Sequence, residues 1–347
     1  IGIILILTAC GGPSEQEMFL NAKNHLDNGD LKAASIELRN TLQENADNAE
    51  ARFLLGSISM QLGDLESAEK EFRRAATAGW KNEDVQIEIA RVLLAQREFQ
   101  KLLDEVIAGE DWSSTARANM LGIRALAQAL QGDVDAARKS LEEGSTFDSN
   151  AFHLFKSTAT LQLAEIAPGD SKATLEKALA NYPDDPELLL LYANAQQQEN
   201  LLDEAEATYQ KIIDKDAFSV ITMNERRAYI GLARLYLIDN KHDLAQQILS
   251  PLLKRNKNDP EANYFSGLLA FENKNYSAAE DHIRKLLKMA PDHLQSQQLM
   301  GKIKYAVGDY DQAAQYLSAY LLRRSEDLPV RKLLASTYLE LHQPELA

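Results

Sequence analysis

The chain has 347 residues, long enough for two or three globular domains or for one extended repeat array. A content of 45% hydrophobic and 26% charged residues excludes a disordered chain, and 9 prolines, 16 glycines and 7% aromatics suit a helix-rich one. The formal net charge of −15 argues against nucleic-acid binding, which needs clustered Lys and Arg to release counterions from phosphates, and a single cysteine excludes an internal disulfide.

Ile1 to Leu7 form an apolar run that closes in Leu7-Thr8-Ala9-Cys10, followed by Gly11-Gly12-Pro13-Ser14. Nine residues cannot span a bilayer, and a short apolar segment ending in small residues reads as a secretory signal of the lipoprotein type. The expected layout is a partial signal peptide over 1–9 and a lipidated Cys10 with its tether over 10–14, the sequence starting inside the signal. The Cys10 thiol would carry a diacylglyceryl group and its freed amine a further acyl chain. Each buried methylene is worth roughly 0.8 kcal/mol, so several chains give a stable membrane anchor. Gly11 in place of Asp points to the periplasmic side of a Gram-negative outer membrane.

From residue 15 the sequence repeats itself. Aligning Asn28-Gly29-Asp30-Leu31, Leu62-Gly63-Asp64-Leu65, Gln131-Gly132-Asp133-Val134 and Val307-Gly308-Asp309-Tyr310 gives starts at 15, 49, 83, 118, 152, 186, 226, 260, 294 and 328, with a spacing of 34 in seven of nine steps. Position 8 is small in every repeat: Ala22, Gly56, Ala90, Ala125, Ala159, Ala193, Ala233, Gly267, Gly301 and Ala335. Position 20 is Ala in seven, with a large apolar residue four places on, so two helices are expected to cross closely within each repeat. Repeats one to six would occupy 15–219, an insertion 220–225, and repeats seven to ten 226–347, the last one incomplete, so that the intact protein is expected to continue.

These residues resemble the tetratricopeptide repeat (TPR). That resemblance implies an all-α, right-handed superhelical solenoid of helical hairpins, a scaffold for protein partners. The third repeat departs from it, with Arg97 for the turn glycine and Leu102 at position 20, as does the fifth, with Ile166 and Ser171. Both are expected to be distorted, the turn of the fifth slipping toward Pro168-Gly169.

Over the whole length the chain is also similar to the TPR-repeat lipoprotein of the exosortase/PEP-CTERM system. The similarity rests on the lipobox, on Ala33-Ala34-Ser35-Ile36-Glu37-Leu38-Arg39-Asn40-Thr41-Leu42 and on Ala51-Arg52-Phe53-Leu54-Leu55-Gly56. It extends to the irregular Phe99-Gln100-Lys101-Leu102-Leu103-Asp104-Glu105-Val106, to Ala290-Pro291-Asp292-His293-Leu294, and to Arg331-Lys332-Leu333-Leu334-Ala335-Ser336-Thr337-Tyr338-Leu339. It implies an envelope lipoprotein associated with exopolysaccharide production and protein sorting.

No catalytic constellation is visible. His25, His153, His242, His282, His293 and His342 lack metal-ligand spacing, and no HExxH, CxxC or Walker loop occurs, so neither enzyme activity nor a metal or cofactor is expected. His282 and His293 read as solvated. In TPR folds positions 5, 9 and 12 of each first helix share the face that lines the groove. Across ten repeats these positions hold no Asp or Glu, and six are basic: Lys23, Arg91, Lys156, Arg234, Lys302 and Lys332, set among aromatics that include Phe53, Tyr264 and Tyr305. A protein partner, in particular an acidic peptide, or an anionic polysaccharide is the expected ligand of this strip. Direct glycan binding, and an enzyme domain beyond residue 347, are the competing readings.

Overall fold

The computed structural model describes residues 13–165, 167–213 and 220–347, which fold into nineteen α-helices with no strand among them. First and second helices alternate as α1 (Glu15–Asp27) and α2 (Leu31–Glu44), α3 (Ala49–Leu62) and α4 (Leu65–Thr77), α5 (Asn82–Gln96) and α6 (Phe99–Glu105), and α7 (Ser114–Leu130) and α8 (Val134–Phe147). The series goes on with α9 (Phe152–Ala164) and α10 (Pro168–Asn181), α11 (Pro186–Gln198) and α12 (Leu202–Ile212), α13 (Met223–Ile238) and α14 (His242–Arg255), α15 (Pro260–Glu272) and α16 (Tyr276–Met289). Last come α17 (Leu294–Ala306) and α18 (Tyr310–Leu321), then α19 (Leu328–Glu340) with a 3₁₀ turn over Pro344–Leu346. Cys10, and with it the lipidation site, lies outside the described residues.

The turn inside each hairpin follows from local chemistry. Position 15 is left-handed wherever it is described: Gly29, Gly63, Gly132 and Gly308, but also Arg97, Asn200, Asn240, Lys274 and His342, with φ from 54° to 93°. Glycine adopts this conformation freely, whereas other residues lose roughly 1–2 kcal/mol that packing must offset. The next residue then caps the second helix. Asp30, Asp64, Asp133, Asn275 and Asp309 accept the backbone N–H three residues on, at 3.0–3.3 Å. All nine described second helices start at position 17, including α6, α10, α12 and α14, which have no side-chain cap.

Packing follows the same register. Ala34, Ala68, Leu102, Ala137, Ser171, Ala205, Ala245, Ala279 and Ala313, all at position 20, are fully buried. Where position 8 is glycine, the side chain at position 24 presses on the backbone: a Cβ on Gly56, Gly267 or Gly301 would stand 2.6–2.8 Å from Phe72, Ile283 or Leu317. One hairpin alone leaves an apolar face uncovered; Leu31, Ala34 and Leu38 of the first repeat are buried with Ala51, Leu55 and Ile58 of the second.

The two irregular repeats differ. In the fifth, the expected slippage is absent. Pro168 is the first residue of α10, at position 17, where its missing N–H is an orphan anyway. The hydroxyl of Ser171 donates to the carbonyl oxygen of Ala159, at position 8 of the same repeat, over 3.0 Å, so serine fills the crossing in place of alanine. The third repeat is distorted as expected, because α6 stops after seven residues. Arg124 of α7 meets its end, its Nη1 donating to the carbonyls of Leu103 and Val106 at 2.9 and 3.1 Å. Val106 and Trp112 are buried in the core where the missing turns would have packed.

The helices make two compact units, an N-terminal one through Glu225 and a C-terminal one from Arg226 to Ala347. Of the residues 220–225, Met223 to Glu225 belong to the first turn of α13, with Thr222 and Glu225 bonded reciprocally by backbone N–H and side chain. No helix of the described residues is long and apolar enough to cross a membrane.

Candidate interaction face

In the N-terminal unit the basic residues at positions 5 and 9 are held by acids from other first helices, which places them on the face that the first helices line. Lys23 of α1 lies over the Phe19 ring, 4.6 Å from its centroid, and pairs with Glu50 of α3 at 2.6 Å. Arg91 of α5 bonds Glu88 at 2.8 Å and reaches Glu187 of α11 at 2.6 Å, and Lys156 of α9 pairs with the other oxygen of Glu187. Arg91 and Glu187 stand 96 residues apart, with α7 and α9 between them in sequence. Gly122 at position 5 lets α7 and α9 approach: a Cβ there would stand 2.5 Å from the His153 carbonyl oxygen.

The electrostatics of this cluster follow from its burial. Desolvation alone would raise the Glu187 carboxyl, but Lys156 and Arg91 together outweigh it and hold the group below the usual carboxylate range. His153 is buried beside the same cations. Desolvation first, then Arg91 and Lys156, depress its imidazole well below the ordinary value and keep it neutral. Phe53 is engaged too, stacked on Trp80 at 5.3 Å and tilted against Phe72 at 5.5 Å.

The C-terminal unit presents the same positions differently. Lys302 is half-buried and Lys332 exposed, and neither side chain makes an ion pair or hydrogen bond among the described residues; Arg234 is exposed. Tyr264 meets Phe265 and His293 edge to face at 5.4 and 5.8 Å, and Tyr305 meets Tyr310 at 5.5 Å. Tyr264, Phe271 and Tyr305 are half-buried, so each packs inward while part of its ring stays accessible.

The acids that other first helices bring to the face were missed in the sequence because they stand at position 2, outside the positions inspected; Glu88, at position 6, lies outside them too. Glu50, Glu187 and Glu261 all open a first helix there, and the ion pairs Lys23–Glu50 and Lys156–Glu187 join positions 9 and 5 to position 2 of the following repeat. A pairwise comparison of neighbouring repeats would have found them. The corresponding residue after Lys302 is Pro329, and Glu261 is bonded to Arg226 at 2.8 Å.

Two histidines correct the sequence reading. His282 and His293 are half-buried rather than solvated: Nδ1 of His282 lies 3.0 Å from Oδ1 of Asn263, and Nδ1 of His293 caps α17 by accepting from the Ser296 N–H at 3.3 Å. Among the described residues no group of three or more His, Cys, Asp or Glu is placed to hold a metal ion.

Two solved structures share this arrangement of hairpins. Pseudomonas aeruginosa pilF is similar to 64% of this chain over 99% of its own, at 16% identity and a TM-score of 0.54. Yeast Tom70 is similar to 95% of this chain over 82% of its own, at 13% identity and a TM-score of 0.50. In sequence, family models described as tetratricopeptide repeat match residues 19–83 and 230–293, and residues 162–220 and 270–337, together well over half of the chain. Repeat period, hairpin geometry and family match agree: the chain is a tetratricopeptide-repeat protein, built as a scaffold for protein–protein interaction.

Proposed function

We propose that the protein docks an acidic segment of a partner on the first-helix face of its C-terminal unit. One observation carries this reading: Lys302 shares the first-helix positions with the half-buried Tyr264, Phe271 and Tyr305 and makes no ion pair among the described residues, whereas the equivalent cations of the N-terminal unit are neutralised by Glu50 and Glu187. Aromatic rings and an unpaired cation supply contact area and a charge for recognition, and such binding weakens with added salt. An acidic peptide and an anionic oligosaccharide, each labelled, are titrated against the wild type and the pair R234Q/K302Q. Several-fold weaker peptide binding in the variant, at unchanged helicity, supports the proposal. Equal affinity places the partner elsewhere, and preference for the oligosaccharide turns the reading toward direct glycan binding.

Sequence supports the setting. Leu7-Thr8-Ala9-Cys10 favours a lipid anchor at Cys10 on the periplasmic side of an outer membrane, and the likeness to the PEP-CTERM-associated lipoproteins favours a scaffold in exopolysaccharide production and exosortase sorting. C10S is expected to leave the membrane fraction and lose incorporation of labelled palmitate. Retention of both signals would refute the anchor.

A further inference from the structure

The shortened α6 leaves more than an irregularity. Beside it lies a cleft of about 270 Å³, walled by the segment after α6, by α7 and by α8. From α7 it takes Arg117, Met120, Leu121 and Arg124, which recur at i, i+3, i+4 and i+7 and so form one side of the helix. Gly122, Leu126 and Ala129, at positions 5, 9 and 12, occupy the opposite side, so this cleft is separate from the first-helix face.

Its two arginines are in unusual situations. Arg124 spends Nη1 on the Leu103 and Val106 carbonyls, which fixes the guanidinium at the mouth of the broken helix. Arg117 makes no ion pair or hydrogen bond among the described residues; its guanidinium carbon lies 5.4 Å from the Phe147 ring centre, and its Nε is buried without a partner. An unsatisfied buried donor on a cation is costly, and an anionic acceptor would relieve it. Around the arginines stand Ile107, which is 70% exposed, and Leu121, Met120 and Phe147, while Glu110 and Glu143 are exposed at the rim.

We propose that this cleft binds the C-terminal residue of a partner chain, its α-carboxylate on Arg117 and its apolar side chain over Leu121 and Phe147. The volume lies just below the ~300–1,000 Å³ of small-molecule sites, room for one anchoring residue. Among peptide carboxylates only the terminal one carries an apolar side chain on the adjacent carbon, whereas the carboxylate of Asp or Glu ends a polar side chain. Guanidinium and carboxylate match in two-pronged geometry.

The test uses Trp112 fluorescence and backbone NMR shifts of the full chain, titrated with three short peptides. One ends in Phe as a free acid, the second ends in Phe amide, and the third is an amide carrying an internal Asp. The free acid is expected to perturb residues 107–110, 117, 124 and 147 saturably and to bind at least tenfold more tightly than either amide, the size of one charge-assisted hydrogen bond. R117Q should remove that preference with helicity intact, and E143Q, which lifts a rim repulsion, should strengthen free-acid binding two- to three-fold. Equal binding of acid and Phe amide, stronger binding of the Asp peptide, an unaltered preference in R117Q, or shifts confined to positions 5, 9 and 12 would each overturn the assignment. The last of these results would leave the first-helix face intact as an interaction surface.

Discussion

The N-terminal and C-terminal units carry the same motif at the same positions, yet their first-helix faces are chemically different. In the N-terminal unit, Lys23, Arg91 and Lys156 are paired with Glu50, Glu88 and Glu187; Lys23–Glu50 and Lys156–Glu187 join successive first helices, and Arg91 ties α5 to α11. In the C-terminal unit, Lys302 and Lys332 have no such acid among the described residues, and half-buried Tyr264, Phe271 and Tyr305 share the first-helix positions with them. A basic residue at a groove position is therefore not in itself a ligand contact. Whether it is one depends on which acids its own helix and the other first helices bring to it.

The largest test of that contrast is Glu187→Gln. It leaves Arg91 and Lys156 without their shared acid in a largely buried cluster, and the expected loss is about 3 kcal/mol, the lower end for breaking a buried pair because the cluster keeps some solvent contact. Trp80 and Trp112 both lie in the N-terminal unit, so urea unfolding followed by tryptophan fluorescence reads this loss directly. Lys302→Gln is expected to change stability by less than about 0.5 kcal/mol. Equal effects of the two substitutions would erase the distinction between the faces.

Overpacking comes next. Gly122→Ala puts a Cβ 2.5 Å from the His153 backbone and Ala279→Leu fills a closed crossing, and each is expected to cost about 1–3 kcal/mol. Hydrogen exchange should rise near α7 and α9 for the first and near α15 and α16 for the second, because repeats lean on their neighbours. A uniform rise along the chain would contradict a repeat architecture.

Acid should separate the units by a smaller margin. His153 titrates lower in the folded state than the ordinary imidazole value of 6.5, so the unfolded chain takes up a proton first and stability is lost as pH falls through that value. The slope is about 1.4 kcal/mol per pH unit for each such histidine. Glu187, depressed in the folded state, adds a second loss below the ordinary carboxyl value of 4.5. His282 and His293 are lowered as well but less buried, so the tryptophan-detected midpoint should move to lower temperature before the far-ultraviolet dichroism of the whole chain does.

The smallest expected effect is Ser171→Ala, within about 1 kcal/mol. It removes one hydrogen bond to the Ala159 carbonyl while supplying the alanine that seven of the eight other described crossings have at this position. Thermal melts of the N-terminal unit measure it, and a loss above about 2 kcal/mol would show that the hydroxyl, rather than the small volume, holds the fifth hairpin.

Periodicity by itself determined the hairpin register. The starts at 34-residue spacing, the left-handed residue at position 15, its capping neighbour and the buried position 20 all follow from interactions within one or two turns of chain, and such interactions leave a mark in local sequence. Even Arg97 and Ser171, which break the pattern, occupy the places that the register assigns them. Tertiary structure alone decided which cations remain available and where a cleft opens. Arg91 meets Glu187 only because the five intervening helices and the bare backbone of Gly122 bring α5 and α11 together, and Arg117 lines a cleft only because α6 ends early. Ion pairing and enclosed volume depend on atoms distant in the chain, and a motif read one repeat at a time contains no term for them.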